Sequence, residues 1–257
     1  MINIKSRSQI DKMQKSADIL IRVFDELEKV IEPGITTKYL DSIAAEVIRK
    51  HDALPSFKGQ PGMFRDSIPF PAVLCISVND EVIHGLPSDR VLLEGDIVSI
   101  DGGVLLDGFH SDAARTYAVG NISPEAQRLI DVTRDSFFAG AAAAVYGNRI
   151  SHISAAIQQV VESNGYSVVR DFIGHGVGRE LHEEPEVPNF VSKFKGPRLE
   201  PGMAIAVEPM VNMGTYEVTV DMDNKWTVYT KDHSLSAHYE NTIVITEDEP
   251  MILTLKR

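Results

Sequence analysis

The chain has 257 residues, 43% of them hydrophobic, enough to bury a large core as one domain or as two fused halves. A formal net charge of −12 argues against specific nucleic-acid binding and against an anionic membrane surface, both of which select basic patches. The single cysteine, Cys75, excludes an internal disulfide, the N-terminus has no apolar signal core, and no stretch approaches the ~18 apolar residues of a membrane span, so a cytoplasmic location is expected.

In chain order, Ser8 to Val30 is predicted as an amphipathic helix, with Ile10, Met13, Ala17, Leu20, Phe24 and Leu27 at spacings of three and four and Pro33-Gly34 as its stop. Thr36-Thr37 suits the start of a second helix, which carries Leu40, Ile43, Ala44, Val47 and Ile48 on one face. Pro55 to Pro71 is rich in Pro, Gly and polar residues and reads as a long surface loop, of the kind that borders a site. Ala72 to Val78 and Glu81 to Ile83 read as strands, and His84-Gly85 follows them. A third helix opens at Ser123-Pro124 and runs into the alanines at 141 to 144; a fourth starts at Ser151. Shifting the first helix pair by 113 residues lays Gly34 on Gly147, Leu40 on Ile153, Ala44 on Ile157 and Ile48 on Val161. This predicts two similar halves, about 8–120 and 121–252 of a single 1–257 domain, with a site between them.

The most informative stretch is IDGGVLLDGFHSD, Ile100 to Asp112. Asp107-Gly108 suits a hairpin corner, because both residues tolerate the positive φ of tight turns. Leu106 then faces Phe109, Asp101 lies opposite Ala114, and the period-2 rule puts Asp101 and Asp112 on one side of the sheet. Beside Ile97, Val98 and Ile100, two such charges resist burial unless a proton or a cation neutralises them. Taken alone, Asp101 could open a turn and Asp112 could face water.

Further along, FIGHGVG presents His175 between glycines after a strand-like run, Tyr166 to Ile173, and His182 follows in LHEEP. Gly174, Gly176 and Gly178 lack the spacing of a dinucleotide fingerprint. Glu208 interrupts the apolar strand Met203 to Pro209, and Glu240 interrupts HYENTIVIT. Either glutamate alone could sit on a wet sheet edge. Together, Asp101, Asp112, His175, Glu208 and Glu240, spaced by 11, 63, 33 and 32 residues, supply four carboxylates and one imidazole. Four negative charges match two divalent cations, and an oxygen-rich set suits manganese, iron or cobalt rather than a structural zinc knuckle. Such a pair would activate water and polarise a carbonyl, as hydrolysis requires.

The segments SVNDEVIHGLP, GDIVSIDGG, DGFHSDAARTY, GHGVGRELHEEP, MAIAVEPM and SLSAHYENTIVIT resemble, in order and spacing, methionine aminopeptidases of type I, from about Ser8 to Ile252. The resemblance implies the α+β pita-bread fold, two pseudo-symmetric halves of helix pairs packed on a central curved antiparallel sheet. It implies a metallo-exopeptidase that removes the N-terminal methionine of nascent polypeptides, preferring a small second residue, by a metal-bridged hydroxide. Asp101 would chelate one of two divalent ions (Mn, Fe, Co or Zn), Asp112 and Glu240 would bridge both, and His175 and Glu208 would complete the other. Glu208 would also be the base, His182 would hydrogen-bond the substrate carbonyl, and His84 would contact the scissile amide nitrogen. Phe57, Phe70, Cys75, Leu181 and Trp226 would line the methionine pocket. The resemblance implies no role for His233 or His238, and His51, His110 and His152 read as surface or packing residues.

One departure from the family is an insertion, Gln60 to about Pro69, which brings Arg65 and Asp66 to the rim. Substrates would be met as they emerge from the ribosome, and a monomer is expected. An X-Pro peptidase of the same fold and a non-catalytic peptide-binding relative are the alternatives. The first carries a substantial N-terminal domain, and the second has lost ligand residues.

Overall fold

In the computed structural model, which describes residues 2–256, the first helix, α1 (Arg7–Glu28), begins where Ser6 and Gln9 cap each other. The Ser6 hydroxyl accepts the Gln9 N–H and the Gln9 side chain accepts the Ser6 N–H, satisfying two amides that the helix leaves free. Thr36 caps α2 (Thr37–Lys50), and its Oγ1 accepts the Tyr39 N–H. The first half continues through β1 (Leu54–Pro55), β2 (Leu74–Val78), β3 (Glu81–Ile83), β4 (Ile97–Leu106) and β5 (Phe109–Ala118). The second opens with α3 (Pro124–Ala143), capped by Ser123, and α4 (Ile150–Ser163). It continues with β6 (Ser167–Val168), β7 (Gly174–Gly176), β8 (Glu183–Val187), β9 (Ala204–Val207), β10 (Met210–Asn212), β11 (Val218–Val220), β12 (Val228–Thr230), β13 (Ser236–His238), β14 (Glu240–Val244) and β15 (Met251–Ile252).

The largest sheet runs β1-β4-β5-β14-β9-β7-β8, with β2 also on β4 and β15 on β14, and every pairing in it is antiparallel. One face is apolar. Val98, Ile100 and Val104 of β4 pack with Leu20, Val23 and Leu27 of α1 and Leu40 and Ile48 of α2, while Ile205 and Val207 of β9 and Ile243 of β14 pack with Leu129, Phe137, Ile153 and Ile157 of α3 and α4. Strand side chains alternate, so the polar residues between these positions point to the face away from the helices. Asp101, Asp112 and Glu240 are among them.

The two helix pairs are anchored by the same device. Gly34, at φ +101°, donates its N–H to Leu92 O, and Thr36 bridges Val91; Gly147, at φ +85°, donates to Leu199 O, and Arg149 bridges Arg198. An L side chain is strained at such φ values, which is why glycine stands at both points. Leu92 precedes Asp101 by nine residues and Leu199 precedes Glu208 by nine, so Asp101 and Glu208 hold equivalent places at the ends of equivalent connections.

Two expectations are corrected. The run Tyr166 to Ile173 is not one strand: only Ser167–Val168 pairs, with β10, and the chain turns out at exposed Arg170 and Asp171 before β7 begins. The loop Pro55 to Pro71 is not wholly superficial, since Ser56, Phe57 and Phe70 are buried. Paired hydrogen bonds close its neck, Gly59 N to Phe70 O and Phe70 N to Gln60 O, both 2.8–2.9 Å.

Candidate metal centre

The hairpin corner sets the register from which the site is built. Asp107 and Gly108 both have positive φ, 51° and 75°, as a two-residue turn of this hand requires, and Leu106 faces Phe109. Asp101 lies opposite Ala114 and Asp112 opposite Gly103, so the two aspartates project on one side, as expected. Glu240 flanks Ala114 from the other edge, since β14 pairs with β5 at that residue. Farther along, Thr242 faces Ala206 and Ala206 faces His175, while Glu208 lies one residue beyond the end of β9 rather than in mid-strand. The methyl groups of Ala114 and Ala206 leave the space into which their larger neighbours reach.

These groups come close without bonding. His175 Nε2 is 3.7 Å from Asp112 Oδ2 and 3.7 Å from Glu208 Oε1. On the other side of Glu208, His238 Nε2 is 3.7 Å from Oε2 and 3.9 Å from Glu240 Oε2. All four separations exceed a hydrogen bond. Asp101 Oδ1, Asp112 Oδ1, Glu240 Oε1 and His238 Nε2 are buried with no hydrogen-bond partner at all. Leaving so many polar atoms unpaired is costly, and native proteins rarely do so without an ion or water to satisfy them.

Burial lifts the Asp101 carboxyl to about 8. It raises Asp112, Glu208 and Glu240 well above the usual range, and neighbouring carboxylates add to each shift. Burial has the opposite effect on the imidazoles, lowering His175 and His238 to about 3 and His84 to about 4, so all three are neutral and each offers a lone pair. Donor chemistry and spacing therefore fit divalent cations. Ligand atoms of Asp112, His175 and Glu240 lie within 4.8 Å of one another, as do those of Glu208, His238 and Glu240, and Glu240 belongs to both triplets. Asp101 lines the same cavity but is in neither triplet.

That cavity, of about 260 Å³, has a polar floor of carboxylates and an apolar wall. Phe57, Phe70, Cys75, Leu181 and Trp226 all line it and form one buried cluster. The ring centres of Phe70 and Trp226 lie 4.9 Å apart, edge to face, and Phe57 stands edge-on to Phe70 at 6.5 Å. Trp226 donates its indole N–H to Ile68 O at 3.0 Å, and Lys225 pairs with Asp66, so the segment 60–69 is tied to the pocket wall. Arg65, by contrast, is exposed.

His84 and His182 stand between floor and wall. His84 takes up φ 59°, uncommon for a side-chain-bearing residue, and its ring sits edge-on to Phe172 and Trp226, with Nδ1 buried and unpartnered. His182, on the open rim, lies with its ring centre 4.4 Å from that of His175, and partial desolvation lowers its pKa.

The sequence reading missed His238, which is buried in the centre, and Ile83, Phe172 and Gln60, which complete the wall. For His238 a signal existed: it is two residues before Glu240 and so shares its side of an extended chain. His110 and Ser56, whose Nδ1 and Oγ lie 2.8 Å apart, are buried packing groups, while His51 and His152 bond to backbone at helix ends.

A fold of helix pairs on an antiparallel sheet, with a carboxylate-rich cavity on its open face, defines a class of metal-dependent peptidases, and a family model described as metallopeptidase family M24 matches residues 11–247. The chain belongs to that family and, within it, to the methionine aminopeptidases. It is 56% identical over 255 residues to a methionine aminopeptidase from Clostridium perfringens, covering 99% of both chains. The methionine aminopeptidase structure from Thermotoga maritima superimposes with a TM-score of 0.94, at 42% identity and 100% coverage of both chains, and shares the α+β pita-bread architecture. A prolidase from Pyrococcus furiosus, at 20% identity and a TM-score of 0.75, shares the fold alone; this chain covers 66% of it.

Proposed function

We propose that this chain removes the N-terminal methionine from nascent polypeptides whose second residue is small, using two divalent cations. The observation that carries the reading is the cavity itself: four carboxylates, two buried and two half-buried, three of them with a buried, unpaired oxygen, face an apolar, sulfur-tolerant wall across about 260 Å³. Asp101, Asp112, His175, Glu208 and Glu240 would hold the cations, with Asp112 and Glu240 shared between them. Manganese, iron, cobalt and zinc all suit this donor set. Cations bound there supply Lewis acidity, polarising an amide carbonyl and lowering the pKa of water.

The protein's own groups do the rest. The methionine side chain enters between Phe57, Phe70, Cys75, Leu181 and Trp226, which exclude water and hold the scissile carbonyl over the floor. Glu208, its proton affinity raised by burial, accepts the proton of the attacking water. His182 donates a hydrogen bond to the carbonyl oxygen as negative charge builds there. His84, neutral and pinned between Phe172 and Trp226, meets the scissile nitrogen as the new N-terminus departs. The whole chain would act as a single catalytic domain of two like halves, monomeric, in the cytoplasm and at the ribosome. Among the described residues no helix is long and apolar enough to cross a membrane, which is compatible with that setting.

The test is release of amino acid from a Met-Gly-containing tripeptide and from an Ala-Pro-containing one, by metal-stripped protein resupplied with Mn²⁺ or Co²⁺, for the native chain and Glu208→Ala. Metal-dependent release of methionine alone, lost in the variant, is the expected result. Cleavage before proline would move the chain to the X-Pro class, and no cleavage with cations bound would leave a peptide-binding relative.

A further inference from the structure

The geometry points to His238 as a sixth protein ligand of the metal centre, its Nε2 binding the cation that Glu208 and Glu240 hold. This rests on the reading of the cavity as a metal site and adds a residue that the family resemblance leaves without a role. The imidazole is 1% exposed, and its Nε2 has no hydrogen-bond partner. It faces Glu208 Oε2 at 3.7 Å and Glu240 Oε2 at 3.9 Å. Such separations are too long for hydrogen bonds, yet they are what a shared cation produces: with bonds of about 2.1 Å, two donors stand roughly 3.6 Å apart at an angle of about 120°.

His175 provides an internal standard. Its Nε2 meets Asp112 and Glu208 oxygens at 3.7 Å each, so the Glu208 carboxylate lies between two imidazoles, one facing each oxygen. The placement of His238 is not a loose rotamer on a mobile loop. Its N–H and C=O are both bonded to Thr116 Oγ1 at 2.9 Å, and β13 is paired with β10, His238 opposite Met210. Were His238 only packing, an apolar residue would fill the space without stranding a nitrogen between two carboxylates.

The competing role is a positioning one, with Nε2–H donating to Glu208 or Glu240. The two differ in which atom carries the proton. Full-length protein labelled with ¹⁵N-histidine is stripped of metal, loaded with Zn²⁺, and followed by long-range ¹H–¹⁵N correlation. Ligation moves the Nε2 signals of both His175 and His238 into the metal-bound range. In parallel, calorimetric titration with Zn²⁺ and with Mn²⁺ is expected to show one of two binding events weakened about 10-fold or more in His238→Gln, with the other within about twofold. If His175 shifts while His238 stays an N–H donor, His238 is a positioning residue and the proposal falls. If neither shifts, the metal-site reading falls with it. Should His238→Gln fail to fold, the labelled native chain still decides.

Discussion

Stripping the metal from this protein should make its stability fall as pH rises through neutrality, the reverse of what a surface rich in paired carboxylates would give. Two sets of buried groups act in opposite senses. Asp101, lifted from 3.8 to about 8, keeps in the folded state a proton that the unfolded chain sheds. That stabilisation is complete below about pH 4 and is lost as pH approaches 8. The histidines work from below: His84 at about 4 and His175 and His238 at about 3 stay neutral when folded, whereas the unfolded chain binds their protons below 6.5. They destabilise as pH falls; most of that effect is gone by pH 7, and from pH 7 to 8 the three together restore only about 0.4 kcal/mol. From pH 7 to 8 the carboxylates therefore dominate the slope. Asp101 alone, going from mostly to half protonated, loses about 1 kcal/mol there, and Asp112, Glu208 and Glu240 add in the same direction. For a chain of 257 residues this lowers Tm by at least ~2–4 °C. With saturating Mn²⁺ the slope should vanish or reverse, because cations replace the protons and bind more tightly as pH rises. Differential scanning calorimetry of stripped and loaded protein at pH 7.0, 7.5 and 8.0 measures both slopes. A stripped-protein Tm that is constant or climbs over this range would refute the picture of a buried, cation-seeking carboxylate cluster.

Three substitutions probe how the site is held. In Gly174→Ala the new Cβ would stand 2.4 Å from Ala206 O and 3.0 Å from Val187 O, trapped between the strands on both sides of His175. Displacing β7 by the better part of an ångström should lower kcat/KM about 100-fold and stability by about 1–3 kcal/mol, read from peptide kinetics and urea unfolding; native-like kinetics would show that the strand is not what places His175. Lys5 and Glu183 form a buried ion pair at 2.6 Å, and Glu183 also accepts the Arg179 N–H beside the His182 loop. Lys5→Met should cost about 3 kcal/mol in urea, with Glu183 left without its counter-charge, and the paired change Lys5→Met with Glu183→Gln should recover part of it. Trp226→Phe keeps an aromatic wall but removes the hydrogen bond to Ile68 O, worth about 1 kcal/mol. We expect KM for a methionyl peptide to rise about fivefold with kcat little changed, and proteolysis to quicken between residues 60 and 69; equal losses in kcat and kcat/KM would instead place Trp226 in the chemistry.

Much of this protein is written locally. The helix faces, the caps at Thr36 and Ser123 and the Asp107-Gly108 corner all follow from spacing and turn chemistry within a few residues, so they are legible in the order of the amino acids. The corner alone puts Asp101 and Asp112 on one side, because period-2 alternation carries parity along paired strands. His175 between glycines and Glu208 and Glu240 interrupting apolar runs stand out in the same local way, and the family resemblance then adds the pocket residues, which periodicity by itself could not. Where local pattern fails, the cause is partner choice. The Tyr166 to Ile173 run has strand composition, yet only two of its residues find a partner strand. The union of the halves depends on β5 meeting β14 with Ala113 opposite Asn241, residues 128 apart in sequence, and on β9 meeting β7 with Ala206 opposite His175. No periodicity specifies such registers; they are chosen by how the two apolar faces pack on their helices. The same packing aims His238 at Glu208 and folds the 60–69 loop against Trp226, placements that join residues far apart in the chain and so belong to the tertiary structure alone.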